Sequence, residues 1–106
     1  MVDILEFIKS CIIHHSIYWT YHVNMRLEGR CISRESILAS VNTYEIIEEY
    51  PQDKYLPSYL IYAKDKGKIF HIQIAVDFLN NNIRIITAYK PTLDKWEKDY
   101  KTRRKI

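Results

Sequence analysis

A change of hydrophobic period at Tyr44 constrains this chain more than any other feature of it. Before that point apolar residues recur at helical intervals; after it they alternate, and turn-forming residues cut the alternation into short lengths. Tyr44 to Tyr50 reads as a strand carrying Glu45, Glu48 and Glu49 and stopped by Pro51. Ser58 to Lys64 and Lys68 to Asp77 flank Asp65-Lys66-Gly67, a hairpin turn with Gly67 at positive φ. Asn80-Asn81-Asn82 makes the next turn, because Asn enters the left-handed region more readily than other residues with a Cβ. Ile83 to Tyr89 is the last strand. Alternation in the third strand sends Phe70, Ile72, Ile74 and Val76 to one face, toward the helices, and His71, Gln73, Ala75 and Asp77 to the other. His71 and Gln73 are predicted to lie on the wetter face.

Ahead of the strands, Val2, Leu5, Phe7, Ile8, Cys11 and Ile12 predict an amphipathic helix over residues 2–13 that frays near His14-His15-Ser16. Thr20 reads as the N-cap of a second helix over 21–29, its hydroxyl accepting from the Val23 N–H, with Gly29 at its end. Ser33 caps a third, with Glu35 in the first turn and Ile37, Leu38 and Val41 as its buried stripe. After the strands, Pro91-Thr92 is expected to open a final helix with Leu93, Trp96 and Tyr100 on one face. The order predicts an α+β fold: N-terminal helices packed on a four-stranded antiparallel meander, then a C-terminal helix.

A chain of 106 residues supports one core, so a single domain over 1–106 is expected. Hydrophobic residues at 47% and charged residues at 27% place it among globular chains rather than disordered ones. Cys11 and Cys31 do not make a disulfide framework, and Asp3 and Glu6 stand where a secretory leader would carry Lys or Arg. The apolar runs fall short of the ~20 residues that span a bilayer. A soluble, cytoplasmic protein without membrane association is the expectation. Two glycines exclude a Gly-rich phosphate loop.

The charge is uneven. Residues 90–106 hold seven cations (Lys90, Lys95, Lys98, Lys101, Arg103, Arg104, Lys105) against three acids, whereas the remainder is close to neutral. A basic tail favours an anionic partner, either nucleic acid or an acidic protein, unless its cations only offset a helix dipole.

Two groups of residues carry possible chemistry. His22, Arg26 and Arg30 stand four apart, which on a helix drifts ~40° per step and sets neighbours ~6 Å apart along the axis. Such a triplet can hold a phosphate, or it can be a structural cluster paired with Glu45, Glu48 and Glu49. His71 is the candidate for acid/base work, since imidazole titrates near neutrality. Tyr89 can donate a proton, stack on a base, or close the core beside Trp96. Cys11, His14, His15 and His22 match no zinc spacing, and neither a metal nor a cofactor is expected.

The segment Tyr21-His22-Val23-Asn24-Met25-Arg26-Leu27-Glu28-Gly29-Arg30-Cys31-Ile32-Ser33 resembles the pattern His-Ala-x-Glu-Arg-Met-x-x-Arg-Gly-Ile-Ser of the domain-of-unknown-function family 4258. Glu45 to Pro51, Pro57 to Leu60, the His71 strand, Ile86 to Pro91, Trp96 and Arg103-Arg104 follow in the family's order, so the likeness covers roughly residues 17–104 and leaves 1–16 as a helical extension. Met25 stands where the family has Glu, and Cys31 where it has Gly, with a Gly at 29 instead. If Gly29 takes over the helix cap, Arg30 leaves the helix.

The resemblance implies a fold related to RelE-like and BrnT-like toxins, proteins that cut messenger RNA and are often encoded beside a small partner. It carries functional weight onto His22, Arg26, Arg30, His71, Thr87, Tyr89 and Arg103 or Arg104. The resulting expectation is a metal-independent, toxin-type endoribonuclease. In it a 2′-hydroxyl attacks phosphorus, His71 moves the proton, Arg26, Arg30 or the Arg103-Arg104 end stabilises the phosphate, and Tyr89 serves the leaving group, with His22 a further candidate. Lys101, Arg103, Arg104 and Trp96 are the expected RNA contacts. The alternative is a non-catalytic module that binds RNA or an acidic, antitoxin-like protein. Whether His22 and His71 share a pocket depends on how the helices meet the sheet.

Overall fold

A computed structural model describes residues 3–30 and 32–105; the expectations for Val2 and Cys31 lie outside the described residues. Helix α1 runs Ile4–Ile13, and Asp3 caps it by accepting from Glu6 N at 3.2 Å. It buries Ile8, Cys11 and Ile12 and ends in a turn through His15 at φ 58°. Helix α2, Tyr21–Gly29, starts as its sequence predicts: Thr20 Oγ1 accepts from Val23 N at 3.0 Å, and Val23 and Leu27 are buried. Arg30 follows as its C-cap, outside the helix. Helix α3, Arg34–Ala39, is capped by Ser33, whose hydroxyl accepts from Ser36 N at 3.0 Å. Val41, assigned to this helix from sequence, instead begins a 3-10 turn over Val41–Thr43.

Four strands follow as a meander: β2 Glu45–Tyr50, β3 Ser58–Asp65, β4 Lys68–Asp77 and β5 Asn82–Tyr89. Lys66 and Gly67 both take positive φ, 51° and 80°, which suits the right-handed twist of the β3–β4 hairpin. Asn81 at φ 55° turns the β4–β5 corner, with Asp77 accepting from Asn80 N at 3.1 Å.

The sheet has five strands, not four. Residues Ile17–Trp19 form β1, which lies parallel to β5 with Ile17 opposite Ile83 and Trp19 opposite Ile85, giving the order β1-β5-β4-β3-β2. The sheet is therefore mixed. A three-residue strand is too short to show a period, and its pairing depends on β5, more than sixty residues away in sequence.

The faces of β4 divide as alternation predicts. Phe70, Ile72, Ile74 and Val76 join Ile8, Ile12, Val23, Leu27 and Ile37 in one apolar core on the helical side. The opposite face carries a register row of Glu45, Tyr62, His71 and Tyr89 across β2, β3, β4 and β5.

That second face is where expectation and structure part. Residues 91–105 form no helix: they make one turn closed by Trp96 N on Thr92 O at 3.0 Å and then double back. Trp96 pairs with Arg103, and Arg104 N donates to Lys95 O at 2.9 Å. The Asp99 carboxylate collects the N–H groups of Lys101 and Thr102, which competes with helical bonding, and Tyr100 at φ 57° is incompatible with it. This return lies across the register row and covers His71, so the predicted wet position of His71 is wrong. Among the described residues no helix is long and apolar enough to cross a membrane.

Candidate functional site

His71 is fully buried and uses both ring nitrogens. Nε2 lies 2.6 Å from the carbonyl oxygen of Tyr100, and Nδ1 lies 3.2 Å from the hydroxyl of Tyr89. A carbonyl only accepts, so Nε2 carries the proton, and the Tyr89 hydroxyl donates to Nδ1. The Trp96 ring stands edge-on at 4.5 Å between centroids. Burial lowers the imidazole pKa, although the Tyr100 carbonyl and Glu48 oppose this, and neutral His71 ties the return to the sheet.

Above this pair opens a hollow of about 540 Å³, lined by Arg30, Tyr89, Lys90, Lys95, Trp96 and Arg103 with Pro91 and Thr92 between them. Four of its lining side chains are cations and none is an acid. Each is held differently. Arg30, released from α2 by its cap position, donates from Nη1 to Thr87 Oγ1 at 3.1 Å and to Ala88 O at 2.8 Å. The Ala88 carbonyl is within reach because β1 ends opposite Ile85, leaving the upper part of β5 to α2. Arg103 stacks on Trp96 at 4.6 Å and makes two 3.0 Å bonds to Glu48, whose carboxyl it holds below the usual range. Lys90 and Lys95 flank Pro91 and Thr92 and are exposed. Tyr89 is half-buried at the floor, its phenol pKa raised chiefly by burial. The concentration of positive charge and hydrogen-bond donors suits an oxyanion such as phosphate.

A family model, Domain of unknown function (DUF4258), matches residues 19–90. The chain belongs to this family. No curated protein and no solved structure matches it. The DUF4258 segment runs from the last residue of β1 to just past the end of β5 and contains Arg30, Tyr89 and Lys90, whereas Lys95, Trp96 and Arg103 lie beyond the matched residues.

The positions expected to act in this DUF4258 chain do not gather at one place. Arg30, Tyr89 and Arg103 meet at the hollow, with Thr87 anchoring Arg30. His71 sits beneath them, in contact with Tyr89 but closed to solvent. His22 lines a different hollow, of about 350 Å³, beside Thr20, Tyr55 and Arg84, so the two histidines do not share a site. Arg26 is exposed on α2 between these regions and lines neither hollow. Among the described residues the suspected pairing of the α2 triplet with the β2 acids does not occur; the tail takes Glu45 and Glu48 instead. Lys101 reaches Glu45 at 2.8 Å and Arg103 reaches Glu48. Arg104 bonds the Leu93 and Trp96 carbonyls, which holds the return together. Trp96 is buried and cannot receive a base on its face.

Lys90 and Lys95 are the contributors that sequence reading left unassigned. Their signal was available as two cations bracketing Pro91-Thr92 after the last strand. The turn closed by Trp96 N on Thr92 O brings them to one hollow. Cys11 is buried with Sγ 4.0 Å from Asn81 O, and His14 bonds Ser10 O at 2.9 Å. Among the described residues no three His, Cys, Asp or Glu side chains gather as a metal-ligand set.

Proposed function

We propose that this protein binds the sugar-phosphate backbone of RNA, with one phosphate seated in the hollow between Arg30, Lys90, Lys95 and Arg103. The observation that carries this reading is the convergence of four cations from three parts of the chain on one concave surface without an acid in its lining. Arg30 and Arg103 are braced by Thr87, Ala88 and Glu48, so their donors lose little freedom on binding. Lys90 and Lys95 add charge without fixed geometry.

Titration of labelled single-stranded RNA at several salt concentrations tests it. Log affinity should fall linearly with log salt, by about 0.7 per phosphate neutralised. Lys95→Gln and Arg30→Gln should each weaken binding and flatten that slope. Salt-independent binding, or wild-type affinity in both variants, would discard the proposal.

The second reading keeps the toxin-type, metal-independent endoribonuclease and is favoured by one contact, the Tyr89 hydroxyl bonded to His71 at the floor of the hollow. His71 is closed to a substrate, so its part passes to Tyr89. As the RNA 2′-hydroxyl attacks phosphorus, its proton moves to Tyr89 Oη while the Tyr89 proton moves to His71 Nδ1. The 5′-oxygen leaves and takes a proton back along the same path, and Arg30 and Arg103 hold the phosphoryl oxygens. Tyr89→Phe should then bind RNA normally but cut it at least 100-fold more slowly, on the scale of general acid–base catalysis. Equal cutting by Tyr89→Phe and the wild type removes this mechanism, and absence of cutting by the wild type leaves the binding module.

A further inference from the structure

We infer that the hollow beside His22 is a nucleobase subsite, joined to the phosphate hollow by the exposed edge of α2, so that the ligand is a single strand lying along β5. This rests on the RNA reading above and adds the strandedness and direction of the ligand. Helix α2 packs against β5, with His22 at one hollow and Arg30 at the other. The eight-residue step between them is ~12 Å of helix, and Arg26 stands exposed halfway. The triplet that sequence marked out is therefore a connecting stripe rather than a catalytic cluster.

The chemistry of the second hollow suits a base better than a phosphate. Its floor is Ala75, Leu56 and Ile86, with Ile86 41% exposed at the irregular pairing of β4 and β5. Tyr55 stands over its rim with 83% of its surface exposed. Lys54 Nζ stands 5.2 Å from the ring centroid, and the remainder of a ring that open, beside an apolar floor, can stack a base of any kind. Polar atoms stand at the edges: the Thr20 hydroxyl already accepts from Val23 N yet can still donate a hydrogen bond, and the His22 imidazole has one ring nitrogen to donate and one to accept. Asp53 also lines the hollow, but its carboxylate is occupied by Ser58 Oγ at 2.7 Å and Lys54 N at 3.0 Å. Arg84 lies over Tyr18 at 5.8 Å and pairs with Asp77 at 3.7 Å, adding a cation at the far end. A base stacked on Tyr55 has to leave its own stack, which a duplex resists and a single strand does not.

Anisotropy titrations with a mononucleotide, a single-stranded RNA octamer, its blunt duplex and poly-glutamate separate the possibilities. The octamer should bind more tightly than duplex or mononucleotide. Tyr55→Ala should weaken the octamer roughly tenfold and leave the mononucleotide unchanged. Arg26→Gln should lower the salt slope for the octamer by about 0.7. Both side chains are exposed, and circular dichroism of each variant checks that the fold is retained. If both variants keep wild-type affinity and slope while Lys95→Gln still weakens binding, the base subsite is wrong and the phosphate hollow stands. If Lys95→Gln has no effect either, the RNA reading falls with it. Tighter binding of poly-glutamate than of the octamer, indifferent to Tyr55→Ala, overturns both in favour of an acidic protein partner.

Discussion

His71 accepts a hydrogen bond on one nitrogen and donates one on the other, so its protonation is tied to the fold. A proton added at Nδ1 removes the acceptor for Tyr89 and places a charge in a buried site. Its folded pKa lies below the unfolded value of about 6.5, so the unfolded chain takes up the proton first. Stability is therefore complete above that value and declines as pH falls through the window beneath it. Glu48 adds a separate window: held low by Arg103, it contributes above about 4.3 and stops contributing as pH drops toward its folded value. Urea denaturation at pH 8, 6 and 5 should show the first decline in the wild type and not in His71→Gln. That variant should also lose about 1–3 kcal/mol at pH 8, where the Tyr100 carbonyl and Tyr89 hydroxyl are left short of a partner. An identical decline in the variant would mean that another group titrates.

At the scale of elements, the return over residues 91–105 depends on Trp96 far more than on its ion pairs. Trp96 is buried against His71, and Trp96→Ala should cost about 3–5 kcal/mol and speed amide exchange at Glu97 and Arg104, whose N–H groups close the return. Arg103 is half exposed in its pair with Glu48, so a double-mutant cycle over the two should give at most about 1 kcal/mol. A larger coupling would make the pair, not the indole, the fastening. Thr20→Ala should cost about 1 kcal/mol by removing the α2 cap, measurable by thermal melting. The caps at Thr20 and Ser33 were legible in sequence because each bond closes within three residues. The return was not: Pro91, Leu93, Trp96 and Tyr100 fit a helical spacing, while Asp99 and its two N–H partners, together with a sheet face needing cover, favour a turn.

For the whole molecule, one sheet serves two purposes. Its helical face carries the core, and its other face, partly covered by the return, carries the hollows. A phosphate seated beside Arg103 meets a guanidinium that Glu48 already holds in place, so binding and fastening of the return are coupled. Inorganic pyrophosphate at saturating concentration should raise the melting temperature of the wild type, and the rise should be smaller in Lys95→Gln. An unchanged melting temperature in the wild type would argue against an anion site in this hollow.

Local pattern alone determined the starts of α2 and α3, the meander of β2 to β5, the turn glycine and the sorting of β4 into two faces, because each depends on neighbours within a few residues. Family membership was legible because its segments are short runs contiguous in sequence. Tertiary structure decided what pattern cannot express: that Ile17–Trp19 finds β5, that the tail returns across His71, and that Arg30 and Arg103 face one hollow while His22 faces another. Those outcomes depend on which surfaces remain uncovered once the core has formed, and that is a property of the assembled chain.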